Sequence, residues 1–118
     1  MAKIKLSVLQ DKFLWSIAKL IFYAHEAGYT VTLGRGKVTP EENAAEGGIP
    51  DSLHLIGLAQ DLNFYLNGVW LTQTEDLRIF GDWWKMQGAD YAWGGDFVVN
   101  GKAKPDGNHF SYAYGGHK

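Results

Sequence analysis

Ser52-Leu53-His54-Leu55-Ile56-Gly57-Leu58-Ala59-Gln60-Asp61 is the stretch on which the fold turns, and Asp106-Gly107-Asn108-His109 answers it near the C-terminus. Together they bring two acids and two histidines out of a total of 4 in the chain. Neutral imidazole and carboxylate are good zinc ligands, and three protein ligands leave a fourth position for a water to be activated.

A continuous helix through the first segment is excluded. It would set His54 and Asp61 about 10 Å apart along its axis, too far for one ion whose ligand bonds are about 2 Å. A two-residue hairpin loop at Gly57-Leu58, glycine first as a type II′ turn prefers, would instead pair Ile56 with Ala59 and set His54 opposite Asp61. Directly opposed residues have Cβ atoms roughly 5 Å apart on one face. Beyond Asp61, Leu62, Phe64 and Leu66 alternate with Asn63 and Tyr65, the signature of a half-buried strand with the acid on its polar face. In the second segment Gly107-Asn108 favours a tight turn or bulge before a run in which His109, Ser111 and Ala113 share one face. An acid on such a turn, Asp106, can lie beside a metal without binding it, where a general base for the activated water belongs.

Read together, these residues resemble the zinc peptidases of the D-Ala-D-Ala carboxypeptidase and L-alanyl-D-glutamate endopeptidase group, which includes many bacteriophage endolysins. Ser-x-His-x-x-Gly-x-Ala-x-Asp is met in full by residues 52–61, and acid-x-x-His by residues 106–109. Trp93-Gly94-Gly95-Asp96-Phe97 is similar to the phage branch, and the resemblance spans roughly residues 30–114. It implies zinc held by His54, Asp61 and His109, with Asp106 as catalytic base. It also implies an oxyanion-stabilising arginine upstream, for which Arg35 is the candidate by position, while Ser52 either ends a turn or hydrogen-bonds substrate. The implied reaction is metal-assisted amide hydrolysis of the peptidoglycan stem peptide, at the L-Ala to D-Glu bond. A D-Ala-D-Ala carboxypeptidase or dipeptidase would use the same ligands and base. A non-catalytic, zinc-stabilised wall-binding module is the reading from another class, and the presence of Asp106 argues against it.

The composition suits one compact enzyme domain over residues 1–118, expected to be monomeric. Hydrophobic residues make up 46% of the chain, and 5 Trp, 6 Tyr and 6 Phe can fill one core. A net charge of −2, with 11 Lys and Arg scattered along the chain, leaves no footprint for nucleic acid. With no cysteine, any metal must be held by His and carboxylate. The apolar run from Leu14 to Tyr23 is interrupted by Lys19 and too short to span or stably insert in a bilayer. No signal peptide is read in the N-terminal segment, so a lysin of this kind is expected in the host cytoplasm before it acts on the wall.

That run reads as a core helix, opened by a Ser7/Gln10 capping box, patterned by Leu9, Phe13, Ile17, Leu20 and Ala24, and stopped by Gly28. Residues 29–33 read as a strand, residues 34–50 as a polar Gly-rich loop holding Arg35, and Asn67-Gly68 and Asn100-Gly101 as turns. A helix opens at Thr74 and runs through Trp83 and Trp84 toward Gly88. The order of elements predicts an α+β fold with helices packed on an antiparallel sheet. The Trp83, Trp84 and Trp93 cluster is expected in the core, Asp96 in a Gly-rich turn or supporting the site, and His25 and His117 in structural roles.

Overall fold

The computed structural model describes residues 4–48 and 52–118. Three helices, α1 (Leu6–Glu26), α2 (Pro40–Ala45) and α3 (Arg78–Lys85), accompany strands β1 (Thr30–Leu33), β2 (Ala59–Leu66), β3 (Val69–Trp70), β4 (Tyr91–Trp93), β5 (Val98–Val99), β6 (Lys102–Ala103) and β7 (His109–Tyr112). The main sheet runs β1-β2-β7-β4, with β3 also on β2, and every pairing is antiparallel. This is the α+β class that the sequence predicts.

The central strand β2 carries the expected alternation. Leu62 and Phe64 are fully buried, whereas Asp61, Asn63 and Tyr65 are not. Helix α1 covers the apolar side with Phe13, Ile17, Leu20 and Ala24, one stripe at helical spacing, and α3 adds Phe80 and Trp84. The rings interlock: Phe64 stacks on Phe80 at 4.2 Å, and Phe13 meets Trp84 edge-on at 5.8 Å. Phe80→Ala is expected to cost about 3–5 kcal/mol of stability in a denaturant titration, and a loss under about 1 kcal/mol would show that this stack does not hold the core.

Local signals acted where the backbone needed them. Asn67-Gly68 and Asn100-Gly101 all take positive φ, as a tight hairpin turn requires, and join β2 to β3 and β5 to β6. Gly28, at φ +92°, follows the end of α1 as expected.

Three local expectations are corrected. Helix α1 starts at Leu6, so Ser7 lies inside the first turn and caps nothing; Gln10 donates instead to the Ile56 carbonyl at 2.7 Å. The stretch at 34–50 is not all loop, because Thr39 and Glu42 form a reciprocal capping box that opens α2, with Pro40 in its first turn. The last two residues of that stretch lie outside the described residues. The Gly57-Leu58 hairpin does not exist. Leu53–Ile56 is one turn of 3₁₀ helix, closed by Gly57 in the left-handed region at φ 69°, ψ 28°.

Candidate functional site

The site is built on the contact between β2 and β7, where Asp61 stands directly opposite His109. Both backbone edges of Asp61 are occupied. Its N–H donates to the Arg35 carbonyl at 2.8 Å, its carbonyl accepts from Gly34 at 2.9 Å, and β7 lies along the other edge. A hairpin partner for Asp61 at His54 therefore has no edge left to pair with. His54 arrives from the 3₁₀ turn, where the Ser52 hydroxyl caps its N–H at 3.2 Å and its own carbonyl accepts from Val38.

The three side chains nevertheless meet. One ligand atom from each of His54, Asp61 and His109 lies within 4.8 Å of the other two. His54 Nε2 and His109 Nδ1 are each 3.4 Å from the same oxygen, Asp61 Oδ1. Ligands on a tetrahedral ion with bonds of about 2.0–2.1 Å are separated by about 3.3–3.4 Å, so both spacings match one edge of such a tetrahedron. Asp61 Oδ1 is buried without a hydrogen-bond partner among the described residues. Leaving a buried acceptor unsatisfied is costly, and a cation would relieve that cost. His54 Nδ1 lies 2.9 Å from the Gly36 carbonyl, which fixes the proton on Nδ1 and turns the lone pair of Nε2 toward Asp61. The His109 ring has no such hydrogen bond; its buried Nε2 is unpartnered among the described residues, and the Phe97 ring packs 5.0 Å away. The three residues thus fit a metal ion.

Electrostatics separates the two acids. Burial opposes ionisation of Asp61, yet the positive charge that His109 and His54 carry when protonated outweighs it and holds its carboxyl below the ordinary 3.8. Asp106 moves the other way: burial of its carboxyl, reinforced by the nearby Asp61 charge, raises it above 3.8 despite opposing fields from His109, His54 and Arg35. The residue as a whole is exposed, so solvent still reaches it. One carboxylate is thus kept charged as a ligand should be, and the other is moved toward the range useful for proton transfer.

The turn that carries Asp106 is clamped by the Trp93-Gly94-Gly95 segment. Asp106 N–H donates to the Gly94 carbonyl at 2.8 Å, and its own carbonyl accepts from His109 N–H at 3.1 Å. The buried Trp93 indole N–H donates to Gly107 at 2.7 Å. A Cβ on Gly94 would collide with the Asp106 carbonyl and fall 2.7 Å from His109 Cβ, so only glycine lets this turn close.

No family model and no curated protein matches the chain. Among solved structures, the crystal structure of the Serratia marcescens L-Ala D-Glu endopeptidase ChiX superposes with a TM-score of 0.66. It is 18% identical, and the match covers 87% of this chain and 79% of that one. The two proteins share a fold.

Within this shared fold the remaining candidates fall as follows. The Arg35 guanidinium is bound by Glu46 at 2.6 Å and Asn43 at 2.9 Å, and its charge reaches Asp106. Asp96 pairs with Lys85 at 2.7 Å, stays exposed and is not part of the ligand cluster. Neither His25 nor His117 joins the cluster. Trp84 and Trp93 are core residues, 0% and 1% exposed, while Trp83 is partly buried on Tyr23. Sequence reasoning missed Gly36, which orients His54, and Glu46 and Asn43, which hold Arg35. The capping box at Thr39 was the available signal for the helix that carries Asn43.

Proposed function

We propose that this chain is a zinc-dependent peptidase of the peptidoglycan stem peptide, cutting the L-Ala to D-Glu bond and acting as a phage endolysin. The observation that carries the reading is the cluster of His54, Asp61 and His109 beside Asp106 on the His109 turn. The shared fold with an L-Ala D-Glu endopeptidase supports it.

When bound by His54, Asp61 and His109, zinc supplies Lewis acidity toward a water and the scissile carbonyl. Asp106, raised toward the working range and held outside the ligand set, takes the proton of the attacking water and returns it to the leaving amine. Arg35 offers positive charge to the developing oxyanion, its guanidinium steadied by Glu46 and Asn43. Ser52 accepts from the His54 N–H and keeps its own O–H to donate to substrate. The protein works as a monomer, needs no nucleic acid and acts on the wall from outside the lipid phase. Among the described residues no helix is long and apolar enough to cross a membrane.

The test is mass spectrometry of fragments released from purified peptidoglycan, with and without chelator. New amino groups on D-Glu, abolished by chelator and restored by zinc, are expected. Release of terminal D-Ala alone would move the protein to carboxypeptidase. New reducing sugar ends would refute a peptidase, and binding without any release would leave a wall-binding module.

A further inference from the structure

Past the ligand cluster, the polar face of β2 continues into a cavity of about 240 Å³ that Asp106 also lines. Asn63 lies two residues beyond Asp61 on the same face, about 7 Å along the strand. Around Asn63 the cavity is closed by Trp70, Thr72, Thr74 and Asn108. Trp70 is 58% exposed, unlike the core tryptophans, and pairs across from Tyr65 at the start of the hairpin. The side chains of Asn63, Thr72, Thr74 and Asn108 make no hydrogen bond to any described residue, so their donors and acceptors are open to a ligand. Among the described residues no lysine or arginine lines the cavity, and its one charged side chain is Asp106.

We infer that this cavity is a saccharide subsite, binding the neutral N-acetylated sugar that bears the stem peptide; the inference rests on the peptidase reading above. The lining chemistry selects this ligand. An acidic residue such as D-Glu would meet Asp106 and find no cation to pair with. A neutral sugar suits amide and hydroxyl groups that both donate and accept, and an exposed indole offers a flat apolar face to the C–H side of a pyranose ring. The distance also suits it. At the L-Ala to D-Glu bond, one residue and the lactyl link separate the scissile carbonyl from the sugar, a span on the order of 7 Å when extended. The substrate then lies with its sugar end over Trp70 and its acidic end away from the cavity.

Two synthetic substrates test this: the stem peptide carrying N-acetylmuramic acid, and the same peptide carrying only a lactyl group. Trp70→Ala is expected to lower kcat/KM on the sugar-bearing substrate by about fivefold to tenfold, through KM, and to leave the sugar-free one unchanged. Trp70→Phe should recover most of the loss. Equal effects on both substrates, or none on either, would overturn the subsite. Cleavage of neither substrate by the parent protein would sink the peptidase reading instead. The subsite is then read directly from the amide signals of Asn63 and Asn108 and the Trp70 indole signal in NMR spectra. They should shift with N-acetylmuramyl-L-alanine and not with L-alanine, and identical spectra would overturn it.

Discussion

Asp106→Asn should retain its metal and its fold while losing about 10²- to 10⁴-fold in kcat, the range for removal of a positioned acid-base group. The same variant should be at least as stable as the parent. Asp106 has its carboxyl raised in the folded state by burial and by Asp61, so between the ordinary 3.8 and the raised value the native protein holds more protons than the unfolded chain. Stability therefore falls as pH rises through that window, and asparagine, which carries no charge, removes this dependence. The comparison is made on chelated protein, where no bound cation offsets the charge, by thermal unfolding at pH 7. Loss of metal from Asp106→Asn would make Asp106 a ligand; near-parent activity would make its turn purely structural.

Asp61→Ala should abolish stoichiometric metal binding, and His54→Ala and His109→Ala should each do the same, with activity falling to background. Asp61 Oδ1 is the atom both imidazoles face, so its removal takes away the shared corner of the cluster. Because an ion that binds only the native state stabilises it, chelator should lower the melting temperature of the parent and leave Asp61→Ala unmoved. At free zinc about 1,000-fold above Kd the difference is about 4 kcal/mol. Elemental analysis after dialysis, with calorimetry in parallel, decides the matter. A full complement of metal in all three variants would eliminate the site.

The residues of the site were legible because their chemistry is compressed into two short motifs, but the route by which they meet was not. Pattern alone places Asp61 on a polar face, since Leu62 and Phe64 must be buried beneath it. It does not reveal that Gly34 and Arg35 claim one edge of Asp61 and His109 the other, because those contacts span tens of residues. The glycine at 57 is a signal of positive φ in either reading; tertiary competition for the strand edge made it the end of a 3₁₀ turn rather than the first residue of a hairpin. The two capping patterns show the same limit. Thr39-Pro40-Glu41-Glu42 acts locally and behaves as written, whereas Gln10 is drawn off to the Ile56 carbonyl by packing that no short window displays.

The three candidate ligands do not stand on equal ground. Asp61 and His109 face each other across the two central strands of the sheet, while His54 rides on a single short 3₁₀ turn. The third corner of the cluster is positioned by the Ser52 cap, the Gly36 carbonyl on the imidazole, the Gln10 bond to the end of the turn and Leu53, which anchors that turn in the core. The corner that completes the cluster thus depends on a few local bonds that strand pairing does not supply.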